Sequence, residues 1–130
     1  MKYLLDTCIC VDLLRRRQET ALKLNHVGWD NCYISEITIA ELLYGAECSM
    51  HPKANTYIIE KLCTSFHIVT ISDSIREFVR QKAYLRKKGQ IIEDSDLWIA
   101  SSAVHNNMVM VTHNVKHLGR LEGVIIENWK

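Results

Sequence analysis

The chain has 130 residues, of which 48% are hydrophobic and one is proline, and its formal net charge is +1. That size and composition predict one ordered globular domain, residues 1–130, and argue against a disordered tail or a domain linker. The charge does not mark a nucleic-acid binder and does not exclude one, because acids pooled at one site cancel basic residues elsewhere.

Taken in order, Tyr3-Leu4-Leu5 is a short apolar run ending at an acid, suited to a buried parallel strand. From Thr7 to Arg17 the residues Ile9, Leu13 and Leu14 recur at helical spacing, with Thr7 as N-cap. Gln18 to Val27 predicts a second short helix closed near Gly28. Cys32-Tyr33-Ile34 is the next strand, and Ser35 caps a helix carrying Ile37, Ala40, Glu41, Tyr44 and Gly45. Pro52 fits the first turn of a helix running to about Ser65. His67 to Ile71 is β-rich, and Ser72 caps a helix from about Asp73 to Lys88 that stops at Gly89. A helix from about Ser95 to Asn106 precedes a fourth strand, Met108 to Thr112, and a fifth, Gly123 to Ile126. Strands separated by helical stretches predict an α/β fold with a parallel sheet covered on both faces.

The five cysteines are odd in number and lack CxxC or zinc-finger spacing. They read as reduced, small core residues of a cytoplasmic protein. No leader-like N-terminus and no run of eighteen apolar residues is visible, so no membrane association is expected.

Carboxylates at the edges of apolar stretches carry the functional signal. They are Asp6 after the first strand, Glu41 between Ala40 and Leu42, and Asp94 and Asp96 before Leu97-Trp98-Ile99. A half-buried carboxylate is costly unless it is paired, hydrogen-bonded or bound to a cation. Ligands of open α/β sheets bind beyond the carboxyl ends of the strands, where Asp6 and Thr112-His113-Asn114 are expected. Several acids converging there call for a divalent ion with oxygen ligands, Mg²⁺ or Mn²⁺. Any one of Asp6, Asp94 and Asp96 alone could equally be a cap. Glu41, flanked by apolar residues, is not explained so. Asp12, Asp30, Asp73, Glu19, Glu36, Glu47, Glu60 and Glu77 read as solvated or capping groups.

At these residues the chain resembles the PIN-domain family, and within it the VapC-type toxin ribonucleases of toxin–antitoxin modules. The likeness is carried by Leu4-Leu5-Asp6-Thr7, by Ile37 through Ala46, by Gly89 through Ala100, by Val111-Thr112-His113-Asn114 and by Glu127-Asn128-Trp129. It implies a PIN-like three-layer α/β/α sandwich with a central parallel sheet of four or five strands. It implies a Mg²⁺- or Mn²⁺-dependent endoribonuclease that hydrolyses RNA with a metal-activated water. Asp6, Glu41 and Asp96 match the family's core acids, with Asp6 and Asp96 as the direct metal ligands. Asp94 matches an outer acid, and Thr112 and Asn114 match the polar pair after the late strand. Some relatives carry a fourth acid where Asn114 stands, and many carry a small polar residue where Cys8 stands. His113 and His117 are assigned surface or RNA-facing roles.

The resemblance also implies a cognate antitoxin whose C-terminal segment covers the site, with Leu13, Leu14, Leu42, Leu43 and Tyr44 as groove candidates. It implies a homodimer or a toxin–antitoxin hetero-oligomer. Cations expected along the RNA are Arg15 to Arg17, Arg76, Arg80, Arg86 to Lys88, Lys116 and Arg120. The alternative is a non-catalytic PIN-fold RNA- or protein-binding module, kept open by Cys8 and Asn114. An aspartate phosphatase would want a second Asp at position 8, and a phospho-receiver a Lys near position 112.

Overall fold

A computed structural model describes residues 1–129. Five strands form one all-parallel sheet: β1 (Tyr3–Leu5), β2 (Cys32–Ser35), β3 (His67–Val69), β4 (Val109–Val111) and β5 (Ile126–Glu127). Their spatial order is β3-β2-β1-β4-β5. The chain therefore runs outward from β1 to β3, then returns past β1 to lay down β4 on its other side. The reversal of direction lies between β1 and β4, which makes their carboxyl ends the two walls of a crevice.

Seven helices cover the sheet: α1 (Thr7–Leu14), α2 (Gln18–Val27), α3 (Glu36–Glu47), α4 (Pro52–Cys63), α5 (Ile75–Lys87), α6 (Asp94–His105) and α7 (Val115–Leu118). Alternation along the strands splits the core into two layers. Leu4 and Met110 point to a layer with Phe78 and Leu85 of α5 and Leu97 and Ala100 of α6. Leu5, Ile34 and Val111 point to the opposite layer, with Ile9 of α1, Leu24 of α2, Leu42 of α3 and Ile59 of α4. These are the two outer layers of the expected α/β/α sandwich. Phe78 and Trp98 stack with ring centroids 3.8 Å apart, which fixes α5 against α6.

The element boundaries carry several corrections. Asp6, not Thr7, is the N-cap of α1, its side chain accepting the Thr7 backbone N–H. The helix stops at Leu14 rather than Arg17, because Arg16 turns left-handed at φ 57°. β3 ends at Val69, since the Ile71 N–H is taken by the Glu36 carboxylate and a 3₁₀ turn occupies Ser72–Ser74 before α5. α6 starts one residue earlier than expected, at Asp94. β4 is trimmed because the Met108 N–H returns to the Ala103 carbonyl. β5 falls later than Gly123–Ile126, since Gly123 forms a turn at φ 80°. α7 and a 3₁₀ turn at Trp29–Asn31 are too short to show a period in sequence. All five cysteines are free thiols, and Cys10 and Cys32 are core residues. Among the described residues no helix is long and apolar enough to cross a membrane.

Candidate active site

Asp6 follows β1 directly and is 6% exposed. Its backbone N–H continues the ladder to the Val111 carbonyl at 2.9 Å, which locks it beside the end of β4. Oδ1 accepts the Thr7 N–H at 2.8 Å, and Oδ2 accepts the Thr112 hydroxyl at 2.7 Å. Neutral donors hold this carboxylate, and no cation pairs with it among the described residues. Thr112 is itself buried, and its Oγ1 accepts the Asn114 N–H at 2.9 Å.

Glu41 reaches the same rim from the middle of α3, whose start is fixed by the Ser35 side chain accepting the Ile37 N–H. The Thr7 hydroxyl donates to Glu41 Oε1 at 2.7 Å and lies 3.1 Å from Thr38 Oγ1. Thr7 thus engages two of the site's acids, Asp6 through its backbone N–H and Glu41 through its hydroxyl.

Asp96 enters from the first turn of α6. Burial, then the carboxylates of Asp6, Glu41 and Glu93, push it up from 3.8 to about 6. Asp6 and Glu41, from two segments distant in sequence, therefore bear on Asp96 through space. Glu93 joins them, a residue that sequence reasoning overlooked because it precedes the helix on an exposed turn.

The other expected site residues fall out differently. Asp94 faces Lys82, with Nζ 3.0 Å from Oδ1 and its side chain 61% exposed. Asn114 turns its side-chain oxygen to His117 Nδ1 at 2.8 Å. His113 is half-buried between Asp12 and Asn128, not a free surface imidazole, and Asp12 is a half-buried partner of Arg17 rather than a solvated group. Cys8 lies 3.8 Å from Asp6 Oδ2 and 3.9 Å from Thr112 Oγ1. Burial, opposed by a bond from the His113 backbone N–H, raises its thiol above the ordinary value.

The donor set suits a hard divalent cation. Its charged groups are carboxylates, they repel one another, and one of them holds its proton abnormally tightly. Among the described residues no three acidic, histidine or cysteine side chains already surround a common point. An ion there would take one or two carboxylates and complete its shell with water, as Mg²⁺ usually does.

Comparison with known proteins agrees with this geometry. The sequence profile described as "PIN domain" matches residues 3–122. Ribonuclease VapC2 of Haemophilus influenzae is 34% identical over 131 residues, spanning 99% of this chain and 98% of that protein. The tRNA(fMet)-specific endonuclease VapC of Salmonella typhimurium is 29% identical, with the same coverage of each chain. The crystal structure of VapBC2 from Rickettsia felis, bound to a promoter DNA fragment, superposes with a TM-score of 0.93 at 31% identity and full coverage of both chains.

Proposed function

The chain belongs to the PIN-domain family, and from that premise we propose that it is a divalent-metal-dependent endoribonuclease, the toxin of a toxin–antitoxin pair. The observation that carries this reading is that Asp6, at the end of β1, and Glu41 both bear electrostatically on Asp96, while none of the three has a cationic side-chain partner among the described residues. The ribonuclease names of the Haemophilus and Salmonella relatives support it.

Asp6 and Asp96 would hold the ion, with Glu41 completing the acidic wall. When bound, Mg²⁺ or Mn²⁺ supplies a nucleophile at neutral pH and neutralises charge on the phosphate. The chain's own residues prepare that chemistry. Thr112 and the Thr7 N–H aim both oxygens of Asp6. Thr7 holds Oε1 of Glu41. Asp96 would ligate the ion in its deprotonated form, and the like charges around it would favour a cation there.

RNA is gripped through phosphates by cations that lack ion pairs among the described residues. Arg86 and Lys87 end α5 beside the acidic turn, Arg15 and Arg16 follow α1, and Lys116 and Arg120 follow β4. Arg80 is occupied by Glu77 and Glu122, so it leaves the set of expected RNA contacts.

A groove of about 350 Å³ runs from Thr7 and Glu41 along Val11, Leu14, Leu42 and Ile58. An antitoxin segment lying there would reach the carboxylates, which is where its cation would block the ion. The solved neighbours from Rickettsia and Salmonella are VapBC assemblies, which supports an antitoxin partner. Self-association would use the exposed face of α5, where Ile75 and Val79 lie one turn apart.

The test is cleavage of an RNA panel, tRNAs included, with Mg²⁺, with Mn²⁺ and with chelator. Cleavage that needs the metal and disappears in Asp6→Asn is expected. A chelator-resistant activity, or one untouched by Asp6→Asn, overturns the reading. Metal-stimulated binding without cleavage would favour the non-catalytic module.

A further inference from the structure

Thr112 serves Asp6 from a backbone tied on both sides of His113: the Thr112 N–H donates to the Glu127 carbonyl at 3.1 Å, and the Asn114 carbonyl accepts the Leu118 N–H at 3.1 Å. His113 adds a side-chain restraint between these two ties. Its Nε2 is bonded to Asp12 Oδ2, and its Nδ1 lies 3.1 Å from Asn128 Oδ1. The ring is 21% exposed and the Asp12 side chain 13%. Asp12 is held from its other oxygen by Arg17 Nε at 3.3 Å. Asn128 sits next to Trp129, which is buried and donates its Nε1–H to Glu127 Oε1 at 3.1 Å. One imidazole therefore ties together α1, the turn after β4 and the tail after β5. The Asn128 contact does not depend on how its amide is turned, since oxygen would accept a ring N–H and nitrogen would donate to a bare ring nitrogen.

We infer that His113 is a positioning residue: bonded at both ring nitrogens, to Asp12 and to Asn128, it fixes the 112–114 turn so that Thr112 meets Asp6. This rests on the nuclease reading for its catalytic consequence, and on geometry alone for its structural one. Cys8 Sγ of α1 lies 3.9 Å from Thr112 Oγ1, so α1 meets the start of this turn a second time. His113 neither takes a proton from the nucleophile nor contacts RNA; it acts through Thr112. Partners behind a ligand shell usually contribute about 10- to 100-fold to activity or metal affinity.

The experiment measures amide hydrogen exchange of Asn114, whose N–H is bonded to Thr112 Oγ1, together with RNA cleavage by the full-length chain in Mn²⁺. His113→Ala is expected to speed Asn114 exchange by about tenfold or more and to lower kcat about 10- to 100-fold, with KM within about twofold. Asp12→Ala should do the same, and the double variant should be no worse than either single one, because both remove one linkage. His113→Gln, whose amide still reaches Asp12, should recover part of the kcat. If His113→Ala fails to fold, the Gln variant and Asp12→Asn carry the same comparison. Asn114 exchange equal to wild type overturns the inference whatever the cleavage result. A wild-type chain that cuts none of the panel in Mn²⁺ sinks the nuclease reading, while the exchange result still decides the positioning role. Additive losses in His113 and Asp12 variants, with KM rising instead of kcat falling, would also refute it.

Discussion

The Thr112 hydroxyl donates to Asp6 Oδ2 at 2.7 Å, joining two residues 106 positions apart across the ends of β1 and β4. The bond exists because those strands are neighbours in the sheet with Leu5 level with Val111. It does two things at once. It stabilises a buried carboxylate with a neutral donor, and that carboxylate has no cationic side-chain partner among the described residues. It also fixes the carboxylate from the β4 side, opposite the Thr7 N–H that holds its other oxygen.

Replacing Thr112 with Val keeps the volume and removes the donor. The Asp6 carboxylate and the Asn114 N–H both lose a buried partner. The expected loss of stability is about 1–3 kcal/mol, read from urea unfolding. Cleavage should fall about 10- to 100-fold, because Asp6 is no longer aimed. Thr112→Ser restores the hydroxyl and should recover most of both. A Val variant with wild-type kcat would mean that Asp6 is oriented by the Thr7 N–H alone.

Asp96 gives a prediction with a definite sign. Its folded value near 6 lies above its ordinary 3.8, so the folded chain binds a proton more tightly than the unfolded one. That contribution is present below pH 3.8 and is lost as pH rises through 6. Two pKa units would amount to ~3 kcal/mol. At this half-buried position solvent screening reduces that to about 1 kcal/mol. In chelator, Asp96→Asn should therefore melt higher than wild type at pH 7.5 and near wild type at pH 4.5. The same substitution should abolish cleavage. Thermal unfolding at the two pH values checks the first claim. A metal-free variant less stable than wild type at pH 7.5 would show that Asp96 is held by favourable contacts and not strained by its neighbours.

The same proton links metal binding to pH. Added Mn²⁺ should raise the melting temperature, and the rise should be larger at pH 7.5 than at pH 5.5, where Asp96 must first be deprotonated. Isothermal titration in two buffers of different ionisation enthalpy should show proton release at pH 5.5 and little at 7.5. Equal stabilisation at both pH values would place the ion away from Asp96.

Part of this site was readable from the chain because parallel buried strands announce themselves as apolar runs, and Asp6 ends one of them, where it also caps α1. Glu41 stands out on another ground, as an acid among apolar residues inside a helix, and Asp96 lies in the first turn of a readable helix. What the sequence withholds is pairing at long range. Nothing local says that Asp12 meets His113, so Asp12 reads as a surface acid and His113 as a free imidazole. Nothing local says that Lys82, a full turn inside α5, takes Asp94. Glu93 has no apolar neighbour downstream to flag it, yet it acts on Asp96 through space. Short elements suffer for a related reason: α7 has four residues, barely one turn, and cannot display a repeat.

Asp94 and Asp96 differ by two positions and offer a sharp contrast. The family resemblance makes Asp94 an outer acid of the site, whereas the structure turns it to Lys82 on the exposed side of the α6 start. Asp94→Asn should leave kcat within about twofold of wild type, since an exposed ion pair contributes about 0–1 kcal/mol to anything it supports. Glu93→Gln should instead ease the repulsion on Asp96. Its signature would be a metal-free titration of Asp96 moved toward lower pH, followed by the carboxyl carbon resonance in NMR. Loss of activity in Asp94→Asn comparable to that in Asp96→Asn would require Asp94 to leave Lys82 and swing to the ion when RNA binds.

The groove beside Glu41 should discriminate between a partner-binding surface and a core seam. Leu42 and Ile59 on its floor are buried and serve the core. Ile58 on its wall is half exposed, and Tyr44 on the same helix pair is 72% exposed, so both can be changed without opening the interior. Burying an isoleucine against a partner contributes about 1.5–3 kcal/mol, roughly one to two decades of affinity. Ile58→Asp should weaken binding of the proposed cognate antitoxin by at least about tenfold while leaving the thermal midpoint of the free chain within a degree or two. Titration calorimetry with the purified partner measures the first quantity and a melt the second. Undiminished affinity in Ile58→Asp would move the antitoxin to another face, with the exposed Ile75 and Val79 of α5 as the next apolar surface to probe.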